Sequence, residues 1–228
     1  STSSAASDVY KRQKLTFLSA VMLTIMMCVP PADTGATAAK DKKRLDSLRN
    51  VRCPRLMSSA AEYYRNRDWK QTVKIYEEIT TLDCDEWNPN FAPPQEIYQY
   101  YAIAYEQMGK FDSSEFVLLD GLQKLPNNVE LRKRLAYSYK RQGKNDQEII
   151  EYERFAVQFP ENKKVPFSIF MQGFIFANEL ISHDSAKVYY KKFIDRYPNH
   201  EMIESVKFEL KYLGIGINEI PELKHLTE

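Results

Sequence analysis

Glycine is scarce in this chain of 228 residues, with only 7 present. That is too few for a turn-rich β protein or a glycine-rich low-complexity segment. An excess of charge of one sign is also missing. The 32 Lys and Arg stand against 31 Asp and Glu, so no long-range field favours nucleic acid or an anionic membrane surface. A local basic patch is still allowed. Histidine is limited to His183 in a turn, His200 at a helix boundary and His225 in the tail. None is spaced with Cys, Asp or Glu as metal ligands on a helix would be, which argues against zinc. No G-x-S-x-G, phosphate-cradling glycine loop or H-E-x-x-H occurs. These absences point away from catalysis, cofactors and metals, and the chain reads as no enzyme.

Long apolar runs are limited to one, residues 15–29 (LTFLSAVMLTIMMCV), preceded by Lys11, Arg12 and Lys14. A spanning helix needs about 20 apolar residues, so the run is short for an anchor. It suits the h-region of a signal peptide, with Ala36-Thr37-Ala38 as an A-x-A cleavage site. An uncleaved anchor is the competing reading. The preceding STSSAASDVY is set aside, so residues 1–38 are expected to be an N-terminal artefact plus a signal peptide. The mature chain is expected to be exported, periplasmic or envelope-associated. Cys28 ends the apolar run. The Met before it departs from the small residues of a bacterial lipoprotein signal, yet VPPADTGATAAK beyond it would serve as a tether. Lipidation stays open, and either way Cys28 lies outside the folded domain. Residues 39–52 are expected to be a linker.

The remaining sequence repeats itself. Residues 95–128 (QEIYQYYAIAYEQMGKFDSSEFVLLDGLQKLPNN) align without a gap on 129–162 (VELRKRLAYSYKRQGKNDQEIIEYERFAVQFPEN). Gly109 with Gly143, Pro126 with Pro160, Tyr105 with Tyr139, and Ala102 with Ala136 are each 34 residues apart. This pattern resembles the tetratricopeptide repeat, a helix–turn–helix unit of that length. In that family a small residue at the eighth position, here Ala102 or Ala136, lets the two helices of a hairpin approach. An aromatic at the eleventh, Tyr105 or Tyr139, fills the space beside it. Gly109 and Gly143 serve the inter-helix turn, where a left-handed backbone costs glycine little. Leu118 and Tyr152 pack on the next repeat, and Pro126 and Pro160 stop the second helix. Glu148 departs from the pattern, because it takes a place normally small and buried. Either the place is half-exposed or the helix is locally rotated.

The same template fits two further units. In the first, Ala60, Tyr63, Trp69, Tyr76 and Ile79 fall in register; in the last, Gly173 and Phe176 do, followed by one extra turn residue before Ala186, Tyr190, Phe193 and Pro198. The resemblance thus implies an all-α, right-handed superhelical solenoid of about four helix hairpins. They would cover 53–84, 95–128, 129–162 and 166–200. A capping helix over 201–213 would offer Ile203, Val206, Phe208, Leu210 and Leu213 for burial, and 214–228 would be a tail. Residues 85–94 (DEWNPNFAPP) interrupt the array, because their prolines prevent helix. Trp87 and Phe91 are expected to fold back over the hairpin, with a partner-binding loop as the alternative.

In this register Cys53 begins the first helix and Cys84 ends the second. Arms of about 14 residues, roughly 20 Å at 1.5 Å per residue, return the last residue beside the first. The α-carbons then come within the roughly 4.4–6.8 Å of a disulfide. With Cys28 removed these are the only cysteines, in a compartment where disulfides persist. Two buried free thiols are the competing reading, and C-x-x-C redox spacing is absent.

What the resemblance implies for function is binding. First helices of successive repeats line a concave groove, here through Met57, Tyr64 and Arg65; Gln99, Ile103 and Glu106; Lys133, Tyr137, Lys140 and Arg141; and Phe170, Phe174 and Asn178. The middle is a basic and aromatic strip suited to an acidic or C-terminal carboxylate segment, with a merely solvated face as the competing reading. The asparagine-bearing carboxylate clamp of chaperone-binding repeats is not reproduced. The implied protein is a non-catalytic adaptor of the bacterial envelope that binds a protein or peptide partner, without cofactor, metal or nucleic acid. The alternative is a structural or lipid-anchored subunit of an envelope assembly complex. Membrane contact is expected only through an uncleaved signal or a lipidated Cys28.

Overall fold

The computed structural model describes residues 34–88 and 93–222. The apolar run, Cys28, Phe91 and His225 lie outside the described residues, as does the side chain of Trp87. Among the described residues no helix is long and apolar enough to cross a membrane. The chain divides into two compact units, 1–47 and 48–228. In the first, residues 34–47 are helical. The hairpin array belongs to the second.

Helix α1, Thr34–Arg65, and α2, Trp69–Thr81, supply the first hairpin, and a single turn α3, Cys84–Trp87, follows. The next three hairpins are α4 (Pro94–Gln107) with α5 (Phe111–Lys124), α6 (Val129–Arg141) with α7 (Asn145–Gln158), and α8 (Val165–Asn178) with α9 (His183–Arg196). Helix α10, Ile203–Lys211, then covers α9. From α4 to α10 each helix packs on the next, α2 packs on α3 and α4, and α4 also touches α6. The first helices α4 and α6 are therefore direct neighbours. The expected solenoid of helix hairpins is the observed architecture.

Local chemistry explains the hairpins. Asp68 and Asn128 cap α2 and α6, accepting from the amides of Gln71 (3.1 Å) and Leu131 (3.0 Å). Gly109 and Gly143 sit in the inter-helix turns at φ 70° and 66°. The equivalent turns of the first and last hairpins force Arg67 (φ 57°) and Ile181 (φ 51°) into the same left-handed region. Pro126, Pro160 and Pro198 follow directly on the C-caps Leu125, Phe159 and Tyr197. At the eighth position Gly173 lets α9 so close that an added methyl would lie 2.7 Å from the ring of Tyr190.

Four expectations need correction. Residues 39–52 are not a linker but part of α1. Between Gly35 and Pro54 the segment holds no helix breaker. Arg49 also ties it down, with Nε donating to the Leu82 carbonyl at 2.6 Å and the guanidinium reaching Asp83 at 3.3 Å. Cys53 therefore lies inside α1 rather than at its start. Nor does Cys84 end α2. That helix stops at Thr81, Asp83 turns left-handed at φ 48°, and Cys84 opens α3. The hairpin still brings the two together: Cys53 and Cys84 form a disulfide with α-carbons 5.7 Å apart. The third correction concerns Glu148, which is 2% exposed, neither half-exposed nor rotated out. Its counterparts Thr72, Ser114 and Ala186 are all buried too. Finally, the capping helix is shorter than expected, and part of the tail is ordered. Gly214, at φ 80°, passes over the His183 ring, a 3-10 turn spans Ile217–Glu219, and Ile220 is buried.

Candidate groove and inter-repeat cleft

The residues expected to line the groove fall into three groups. At the first hairpin, Tyr64 is half-buried between Tyr100 (ring centroids 4.7 Å) and Trp69 (5.6 Å), Met57 packs on the core, and Arg65 is exposed. Gln99 and Ile103 on α4 are half-buried. Glu106 is not offered to a partner. Its side chain is 6% exposed; Arg134 donates to it at 2.9 Å and Ser114 at 3.2 Å. Burial raises its pKa, against the pull of Arg134. This carboxylate joins two repeats, a role that sequence position alone does not separate from groove lining.

On α6 the strip is present but tied together. Arg141 donates to the Tyr137 hydroxyl at 3.1 Å, and its guanidinium stacks over Phe111 at 4.7 Å. Phe111 meets Tyr137 edge-on at 6.2 Å. Tyr137 keeps 42% exposure, although it is anchored on one side. Lys140 is exposed. Lys133 is exposed and rests on Glu130 at 2.9 Å, one turn earlier. On α8, Phe170 is 6.0 Å from Phe174 and 6.0 Å from Tyr190, both as ring centroids. Asn178 is exposed, and its amide donates to the Phe174 carbonyl at 3.0 Å. Phe167, Phe170, Phe174 and Asn178 lie on one helix face by their spacing.

Between the third and fourth hairpins lies a cleft of about 290 Å³ that reasoning from single positions missed, apart from Lys133. Ala136, Tyr152 and Phe155 form its apolar floor, and Phe167, 42% exposed, forms a wall edge-on to Tyr152 at 6.5 Å. Arg132, Lys133 and Lys164 supply positive charge around it. Glu151, 2% exposed, is neutralised twice, by Arg132 at 2.7 Å and Arg154 at 2.6 Å. A second bond, from Arg132 to the Pro126 carbonyl at 3.0 Å, fixes that guanidinium. A signal existed in the sequence. Residues 163–165 separate the third unit from the fourth, whereas the second and third abut. Phe167 also stands at the second position of its repeat, one of the groove positions.

Glu148 lies one helical turn before Tyr152 of the cleft floor. The Tyr152 hydroxyl bonds its carboxylate, and burial raises its pKa from 4.5 to about 7, against the opposing field of Lys140. One oxygen, Oε1, is buried without a hydrogen-bond partner.

Residues 134–162 and 168–200 match the sequence model of the tetratricopeptide repeat. No curated protein matches the chain by sequence. Among solved structures the chain is similar to a tetratricopeptide repeat protein from Parabacteroides merdae ATCC 43184, with a TM-score of 0.55 at 11% identity. That likeness covers 75% of this chain and 64% of the other, so this chain spans less than two thirds of that protein's length. It is also similar to MamA from AMB-1, with a TM-score of 0.51 at 20% identity over 78% of this chain and 91% of that one. At such identities the likeness is one of fold. Residues 134–162 and 168–200 are therefore tetratricopeptide repeats, and the stacked hairpins around them share the fold of tetratricopeptide-repeat proteins.

Proposed function

We propose that this protein is a non-catalytic protein–protein interaction adaptor that holds a peptide or protein segment on its concave, first-helix side. Tetratricopeptide stacks are binding scaffolds in general, and the strip on α6 supports the finer reading. Tyr137, Lys140 and Arg141 present an aromatic face beside two cations, with Arg141 held in place by Phe111. A rigid aromatic next to guanidinium and ammonium groups suits an acidic segment of a partner. Each group is largely solvated and contributes about 1 kcal/mol. Crosslinking from the native envelope identifies the partner. The Tyr137→Ala, Lys140→Ala, Arg141→Ala triple variant should then bind it roughly 100-fold more weakly. The wild-type affinity should fall between about 50 and 300 mM salt through screening. Unchanged affinity and salt dependence in the variant would remove the groove from consideration and leave the structural-subunit alternative.

The adaptor works, on this reading, in the bacterial envelope after export. The Cys53–Cys84 disulfide supports an oxidising compartment. Intact mass of the protein from its source membrane fraction should show a chain starting at Ala39. Retention of residues 15–29 would point instead to an anchor, and a diacyl group on Cys28 to a lipid-anchored subunit.

A further inference from the structure

We infer that the cleft between α6, α7 and α8 is a specificity pocket for one bulky apolar side chain of a partner, flanked in the partner's sequence by carboxylates. This rests on the groove reading and adds the chemistry of what is gripped. Size comes first. At about 290 Å³ the cleft lies at or below the lower end of small-molecule sites, roughly 300–1,000 Å³, so it suits a single side chain and its backbone. Its floor and wall are Tyr152, Phe155 and Phe167. Aromatic surfaces of this kind take an aromatic or branched apolar group, edge-on or offset. A Phe167 ring left 42% exposed beside such a floor is the surface that an inserted side chain would cover.

Charge then selects the neighbours of that side chain. Glu151, the acid in the wall, is already satisfied by Arg132 and Arg154. It therefore repels an incoming anion little, and the buried network keeps the wall rigid. Lys133 and Lys164 remain at the mouth. Among the described residues Lys133 rests on Glu130 alone, in an exposed pair one turn apart. Such pairs contribute little, so a ligand carboxylate can take the place of Glu130 at small cost. A segment of the form acid–bulky apolar–acid fits the pocket. A basic segment would meet two ammonium groups at the mouth.

The probe is a synthetic peptide, acetyl-Gly-Ser-Asp-Phe-Asp-Ser-Gly-amide, titrated into the ¹⁵N-labelled, disulfide-intact protein. The expected result is saturable shifts at the amides of Phe167, Ser168 and Lys133, with Kd on the order of 100 µM for so short a ligand. Changing the peptide's Phe to Ala should weaken binding at least tenfold. Changing both of its Asp residues to Asn should weaken it several-fold and remove the salt dependence. Phe167→Asp and Lys164→Glu should each abolish the shifts, whereas Lys187→Glu on the outer helix α9 should not. All three substituted side chains are exposed, so unchanged melting curves separate loss of binding from loss of fold. Absence of shifts at millimolar peptide would overturn the pocket, as would equal binding of the Ala peptide or equal binding by Phe167→Asp. If the native partner depends on Tyr137 and Arg141 while the probe fails, the pocket falls and the groove reading stands. If the probe binds while the native partner ignores those two residues, the groove reading falls and the pocket stands.

Discussion

Replacing Glu148 with Gln should make this protein more stable at neutral and alkaline pH, and only there. Glu148 is 2% exposed, and burial raises its pKa from 4.5 to about 7. The charged groups around it are Lys140 on α6, which favours the carboxylate, and Glu179 after α8, which opposes it; the Tyr152 hydroxyl also bonds it. The sign follows from proton counting. Below pH 4.5 the carboxyl is neutral in folded and unfolded chains alike. Between 4.5 and about 7 the folded chain holds the proton that the unfolded chain has lost. Stability therefore falls as pH rises through that window and levels off above it. At 1.36 kcal/mol per pK unit the full loss is about 3 kcal/mol. Relaxation of the site and entry of water on ionisation reduce this, and about 2 kcal/mol is the working figure. Gln keeps the shape and can still meet the Tyr152 hydroxyl, but never ionises. Urea and thermal unfolding of both proteins at pH 4.5, 6, 7 and 8.5 measure the effect. The curves should coincide at the lowest pH. At pH 8.5 the Gln variant should lead by about 2 kcal/mol, or roughly 4–8 °C for a protein of this size. A difference that does not vary with pH, or a Gln variant weaker at pH 8.5, would refute the reasoning.

Three further predictions test the frame that positions the groove. Non-reducing digestion should yield a peptide pair joining Cys53 to Cys84, and Cys84→Ala should cost about 2–4 kcal/mol, with amide exchange rising more in the first hairpin than in the third; quantitative alkylation without reductant would contradict this. Ile181→Gly should stabilise the protein by about 1 kcal/mol, because a β-branched residue 66% exposed at φ 51° carries strain that glycine lacks. Gly109→Ala should do the reverse by a similar amount, since an added Cβ there meets nothing within 4 Å and only the backbone resists; calorimetry showing both changes with the same sign would count against this account of the turns. Gly173→Ala should destabilise by about 1–2 kcal/mol. The clash with the buried Tyr190 ring outweighs the gain of about 1 kcal/mol in helix propensity, and a higher melting temperature would show that α8 and α9 can separate freely.

The repeat was legible from the residues alone. Its period, its turn glycines and its helix-ending prolines are local requirements, met within one hairpin whatever lies next to it. Gly109 and Gly143 are left-handed for the reason their residue type announces. Cys53 and Cys84 meet because the second helix runs back alongside the first and brings the chain level with Cys53 again. Whatever depends on a neighbouring repeat became visible once the helices were packed. Residues 39–52 join α1 partly because Arg49 finds the Leu82 carbonyl 33 positions away, a contact that no local propensity encodes. Glu106 faces Arg134 rather than a partner, and Arg132 reaches across to Glu151, because adjacent helices bring those charges together. The cleft depends on the spacing of α6, α7 and α8, and so Phe167 reads as one more core residue in an apolar helix until its neighbours are placed. Periodicity tells which side of a helix a residue takes; whether that side meets another helix, a buried charge or solvent is settled by the packing of one repeat on the next.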